Sequence, residues 1–205
     1  MKITKEWLKE KGACSDSYKE FEGESMDGIE AIKKCIKINR VDWANWLIVR
    51  IMEYKQYTSY AVFAAEQVLP IYEKKYPADK RPRETIEAAR ECIDNPTEEN
   101  KKAAYAAAAA AYAAAYTAAA TTYAAAATAA AYAAAAAAYD DAAAAAYAAA
   151  ATNAAAAAAY DDAYAAAAAA TNDAAAAYDA AATTRRNMRL KILNYGLELL
   201  RGGLR

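Results

Sequence analysis

At 205 residues the chain has room for one large domain or two small ones, and its net charge of −1 creates no overall field to draw it to nucleic acid, so no DNA partner is expected. It contains no His, and Cys14, Cys35 and Cys92 are widely spaced with no CxxC pair, which excludes Ser-His-Asp and Cys-His chemistry and argues against a zinc centre. The residues from Met1 to Lys5 lack the apolar run of a signal peptide, and free thiols fit a reducing compartment, so a cytoplasmic protein is expected.

In chain order, Thr4 has the form of an N-cap for a short helix over 5–11, ended by Gly12. Residues 12–28 carry Gly12, Gly23 and Gly28 among Ser and Asp and are expected to be loop. A helix follows over about 29–38. Asp42 is expected to cap the next helix, on which Trp43, Trp46, Leu47, Arg50, Ile51 and Tyr54 recur at helical spacing and form one stripe. Trp43, Trp46, Leu47 and Ile51 of this stripe, with Phe63 and Val68, are expected in the core of the N-terminal half. A helical stretch over about 57–76 should be kinked or divided by Pro70. Pro77 and Pro82 bracket a loop, and a helix over about 82–94 turns Ile86, Ala89, Cys92 and Ile93 inward. Asn95-Pro96-Thr97-Glu98 then has the pattern of a helix start with Asn at the cap and Pro at the first position.

From 103 to 184 the chain uses only Ala, Tyr, Thr, Asn and Asp, and 56 of these 82 positions are Ala. Ala is the strongest helix former but brings little surface to a core, so such a segment folds only if its helices pack very closely. The Leu, Ile, Val and Phe that drive membrane insertion are absent from it, so no membrane span is expected. One helix from Pro96 to Tyr195 would be about 150 Å long at 1.5 Å per residue, so the segment must turn back on itself. With Gly and Pro missing, Thr, Asn and Asp must make the turns. The candidate breaks are Thr121-Thr122, Asp140-Asp141, Thr152-Asn153, Asp161-Asp162, Thr171-Asn172-Asp173 and Asp179. Tyr139-Asp140-Asp141 recurs as Tyr160-Asp161-Asp162, and Thr152-Asn153 as Thr171-Asn172, which suggests a degenerate repeat of short stacked helices. Apolar residues return at Met188, Leu190, Ile192, Leu193, Leu197, Leu199 and Leu200, as expected of a capping helix that closes the open end.

The expected architecture is therefore all-α. An N-terminal helical part (1–95) runs into an Ala/Tyr-rich array of short, closely packed helices with a basic C-terminal cap (96–205), as two parts or as one continuous domain. The charge is split between them. The Ala-rich segment has six Asp and no cation, a sum of −6, and the rest of the chain must carry +5. The tail from 185 supplies that +5 by itself, with six cations against Glu198, so packing of the tail beside the acidic array is the plain structural account.

Two stretches, Arg40-Val41-Asp42-Trp43-Ala44-Asn45-Trp46-Leu47 and Ala64-Ala65-Glu66-Gln67-Val68-Leu69-Pro70-Ile71-Tyr72-Glu73, together with Asp79-Lys80-Arg81-Pro82-Arg83-Glu84, Asn95-Pro96-Thr97-Glu98-Glu99 and the Ala/Tyr-rich second half, carry a likeness over most of the chain. The chain resembles the Imm-5-like family of immunity proteins found in bacteria, phages and prophages. The resemblance implies a part in a conflict system, by protection against a toxin or a defence component. It assigns no residue a role.

The composition points to binding without turnover. There is no Walker loop and no dinucleotide glycine fingerprint. Adjacent Asp residues on a helix point about 100° apart, so neither Asp pair alone can chelate an ion well. No catalytic residue, metal or cofactor is expected. The site is expected on Tyr139, Tyr160, Tyr164 and Asp161, with Arg185 and Arg186 as an anion-facing pair, because Tyr and Arg make good interface contacts and the array has too little apolar bulk to explain them by packing. The expected partner is a protein, a toxin or defence component. The alternative is a small signalling nucleotide, with Tyr stacking on its base and Arg meeting its phosphate. Metal-dependent catalysis by the Asp pairs and ice binding by the irregular Thr set rank below both, and an exposed Tyr face would also serve a homo-oligomer.

Overall fold

The computed structural model describes residues 1–118, 121–139, 142–171 and 173–202. The expected turn at Asp140-Asp141, Asn172 of the later turn, and Arg205 of the basic tail lie outside these residues. Among the described residues the protein is all-α apart from one pair of two-residue strands, β1 (Lys2–Ile3) and β2 (Met26–Asp27), which run antiparallel with Ile3 opposite Met26. Thr4 accepts from the Trp7 amide and caps α1 (Lys5–Glu10), and Gly12 takes the left-handed φ of +71° that ends it. The stretch expected to be loop contains α2 (Ser15–Glu20), which has no buried residue, as well as β2. No apolar periodicity marked either.

Asp27 caps α3 (Gly28–Lys37), accepting from the amides of Ile29 and Glu30. Asn39 follows at φ 61°, a left-handed position that Asn tolerates, and turns the chain into α4 (Val41–Ile51). Asp42 is not the cap expected of it. It lies in the first turn of α4, where a carboxylate still favours the positive end of the helix dipole. The buried face of α4 is also rotated from the expected stripe. Ala44, Asn45, Ile48 and Val49 are buried with Leu47, while Trp43, Trp46 and Ile51 are half-buried. The reason is that α4 touches helices on more than one side, so the largest side chains do not define its innermost face.

Pro70 divides the next stretch as expected, into α5 (Tyr54–Glu66) and α6 (Leu69–Lys75), where it occupies the first turn. Across the loop that follows, the Asp79 carboxylate binds the Arg81 guanidinium and accepts from the Tyr72 hydroxyl at 2.6 Å. These bonds, Arg81 first, hold it well below the usual carboxylate range. In α7 (Arg81–Asp94), Ile86, Ala89 and Cys92 are buried, as the periodicity required, with Ile93 half-buried.

The start of α8 (Glu98–Thr117) lies two residues later than its sequence suggested. Thr97 is the cap, accepting from the Asn100 amide at 3.2 Å, and Asn95 is reduced to a backbone acceptor for the Asn100 side chain. Thr97→Ala is therefore expected to cost about 1 kcal/mol, against a few tenths for Asn95→Ala. Equal losses in urea denaturation would contradict this assignment.

The Ala-rich segment forms most of α8, then α9 (Thr121–Ala138), α10 (Ala142–Ala170) and the first part of α11 (Ala174–Leu200). These are not short repeats. Thr152-Asn153 and Asp161-Asp162 lie inside α10, and Asp179 lies inside α11. Thr152 stays helical because its hydroxyl returns to the Ala148 carbonyl, one turn back. Helix α9 is the centre of the protein. It packs against α5, α6, α7, α8 and α10, and ten of its alanines are buried. A helix apolar on every side is stable when it is covered on every side, and α9 is. One cluster of buried residues runs from Ile3 to Leu199 through these alanines, so both halves share a core.

The C-terminal apolar residues do not close an open end. They belong to the second half of α11, which returns to the N-terminal helices α3, α4 and α5 and buries Ile192, Leu193, Leu197 and Leu199 there. Its first half lies along α10. Among the described residues from Asp161 to Ala176 none is buried, so the distal part of the α10–α11 hairpin projects from the body.

Candidate functional site

The tyrosines expected to act together fall into two groups. Tyr139 lies between Tyr105 (6.0 Å, edge-on) and Tyr147 (5.7 Å, stacked), and Tyr147 continues through Tyr132 to Tyr112. This row ties α8, the end of α9 and the start of α10 together, and the Tyr139 carbonyl accepts from Tyr57 of α5 at 3.2 Å. Burial and the neighbouring Tyr132 push the Tyr112 phenol upward. The row accordingly has a structural account: its rings supply area that methyl groups cannot.

The second group lies at the base of the projecting hairpin. Tyr160 and Tyr164, one turn apart on α10, stack with centroids 6.4 Å apart, and Tyr178 of α11 meets Tyr160 edge-on at 6.0 Å. The Arg185 guanidinium sits 6.0 Å from the Tyr160 ring centre, at the outer limit of a cation–π contact. Desolvation and then Tyr178, Tyr164 and Asp161 push the Tyr160 phenol up, while Arg185 pulls it down. Thus Tyr160, Tyr164, Asp161 and Arg185 are brought together, joined by Tyr178, and Tyr139 belongs elsewhere. Tyr164 and Tyr178 are among the most exposed large side chains of the protein.

Arg186 turns towards the α3–α4 turn, where its Nε donates to Asn39 Oδ1 at 3.2 Å. Arg189, one turn further along α11 from Arg185, donates from Nη2 to Asn153 of α10 at 3.3 Å. Its Nε is buried without a hydrogen-bond partner, and burial, followed by repulsion from Arg185, lowers its pKa. Arg40, next to Asn39, lies 4.5 Å over the Trp43 ring. Among the described residues, none of Arg40, Arg185, Arg186 and Arg189 has an ion pair within 4.0 Å. The basic tail is therefore not neutralised by ion pairs with the described Asp residues of the acidic segment, as simple charge matching would have it. A cationic stripe on α11 and the α3–α4 turn borders the tyrosine cluster.

Sequence reasoning missed Arg189, Tyr178, Asn39 and Arg40. The first two lie on α11 with Arg185, and they come beside Asn153 and Tyr160 of α10 only because α10 and α11 are long and antiparallel. It also missed a concavity between α1, α2, α3 and α4. Among the described residues no group of three or more acidic or thiol side chains is placed to hold a metal ion, and no helix is long and apolar enough to cross a membrane. No protein-family model, curated protein or solved structure matches the chain.

Proposed function

We propose that this protein is a non-catalytic binder of bacterial and phage conflict systems, of immunity or anti-defence type, acting in the cytoplasm by occupying an acidic surface of a partner protein. One observation carries the reading: three arginines of α11 without ion pairs among the described residues border the half-buried Tyr160 and the exposed Tyr164 and Tyr178. Tyr and Arg are the residues on which binding energy concentrates, and a cationic stripe selects partners of opposite charge. The resemblance to immunity proteins supplies the biological class.

A second reading is favoured by Arg185 beside the Tyr160 ring and the stacked Tyr160–Tyr164 pair. This arrangement could stack a base and meet a phosphate, as a sponge for a small signalling nucleotide does.

The expected result is an acidic toxin or defence protein bound at one per chain. Tyr160→Ala and Arg186→Ala should each weaken its binding by about 2 kcal/mol, roughly thirtyfold, while Tyr116→Ala, 91% exposed on α8, should change nothing. Titration calorimetry on folded variants reads this, and unchanged affinity in both site variants removes the proposal. A stoichiometric nucleotide released from the denatured protein selects the sponge instead. Multiple turnover of a nucleotide, abolished by Asp161→Asn, would remove both.

A further inference from the structure

The concavity between α1, α2, α3 and α4 has a volume of about 370 Å³ and walls from Leu8, Phe21, Ile38, Trp43, Trp46 and Leu47. That volume lies within the range of small-molecule sites, which are mainly apolar with a few polar groups at the rim. Its roof is the segment from Thr4 to Ser25, which has little core of its own: α2 buries nothing and α1 buries only Leu8. The roof is pinned at three places. The β1–β2 pair holds its two ends, Trp7 meets Trp46 edge-on at 6.4 Å, and Lys34 of α3 binds Glu22 at 2.8 Å. Trp7, Leu8, Ala13, Tyr18 and Phe21 of the roof pack on the core, yet a space remains between the roof and the walls of α3 and α4.

We infer that this space is a binding site for a small, uncharged, ring-bearing apolar molecule, separate from the arginine–tyrosine face. The chemistry of the walls selects that class. Trp43 and Trp46 offer flat aromatic surface, and each already carries a guanidinium, Arg40 at 4.5 Å and Arg50 at 4.0 Å. At the rim, Lys34 is engaged by Glu22 and the other charged groups are Glu20 and Asp42, so the mouth offers no unpaired cation to an anion.

Two thiols report on the site. Cys14 is exposed at the mouth, and Cys35 is a wall residue whose thiol is pushed up to about 11, by burial first and then by Asp42. Near neutral pH the exposed thiol is therefore the one that reacts.

The test titrates the full chain with N-phenyl-1-naphthylamine, a neutral aromatic probe, following probe emission and tryptophan quenching. The inference expects saturable binding of one probe per chain, and slower maleimide modification of Cys14 when the probe is bound. Modification of Cys14 in the folded protein and, independently, Ala13→Phe, which fills the mouth, should each weaken binding at least about tenfold. Tyr160→Ala should leave it unchanged. Non-saturable binding, or binding indifferent to Cys14 modification, overturns the inference, as does a loss of probe binding in Tyr160→Ala. Should Ala13→Phe fail to fold, the Cys14 modification decides alone.

Discussion

Asn45→Ala should destabilise the protein by about 2–4 kcal/mol, although Asn45 lies on no surface a partner could reach. Asn45 is 4% exposed on α4. Its Nδ2 donates to the Ala149 carbonyl of α10 at 3.0 Å, and its Oδ1 accepts from the Tyr60 hydroxyl of α5 at 2.9 Å. One side chain thus links three helices, two from the N-terminal half and one from the Ala-rich half. Its removal strips a partner from the Tyr60 hydroxyl, which is fully buried, at about 1–3 kcal/mol. The remaining loss comes from the void left among side chains that cannot collapse into it. Tyr60→Phe in the Asn45→Ala background removes a hydroxyl left with Thr152 as its remaining side-chain partner, and should recover part of the loss. Urea denaturation of the two single variants and the double variant reads the coupling, expected at about 1 kcal/mol or more. Strict additivity, or an Asn45→Ala loss below about 0.5 kcal/mol, would show that the bridge contributes nothing.

The second large effect runs against helix propensity. Gly196 lies inside α11, where Ala should be better by about 1 kcal/mol. A Cβ there would come within 2.7 Å of Ile48 Cδ1 and of Tyr60 Cε2, and within 2.9 Å of Tyr60 Cδ2. Ile48 and Tyr60 are both 0% exposed, and Tyr60 is held by Asn45, so neither can move aside cheaply. Overpacking of this kind costs about 1–3 kcal/mol and occasionally more. With contacts this short the upper end applies, and Gly196→Ala should lose about 2 kcal/mol net of the propensity gain. A variant as stable as the parent in urea would mean that α11 can lift from α4 and α5 without penalty.

Much of the fold was legible because its signals are local. Thr4 and Gly12 bounded α1, Pro70 divided α5 from α6, and the Ala content required helix. The missed features depend on residues far apart in sequence. The buried face of α4 is shared among α3, α10 and α11, the last two more than a hundred residues away, so the stripe is only partly buried: Leu47 is in the core, and Trp46 and Ile51 pack at its edge. Whether Thr or Asp breaks a helix depends on where its side chain finds a partner, and Thr152 found one within its own helix. At the site, Tyr160, Tyr164, Asp161 and Arg185 were named from chemistry alone. Tyr139 shares the Tyr-Asp-Asp spelling with Tyr160, yet the two tyrosines lie in different ring clusters.

The alanine core of α9 has a thermodynamic consequence. The heat capacity of unfolding rises with the apolar area exposed and falls with the polar area exposed. An alanine helix that melts releases one methyl group for each peptide unit it hydrates, so the two contributions nearly offset each other. The positive heat-capacity change of this protein therefore comes mainly from the aromatic and branched residues of the N-terminal half, the end of α11 and the tyrosine row. Its stability should vary less with temperature than that of a leucine-packed protein of equal length, and in the cold its centre has little hydrophobic driving force to lose.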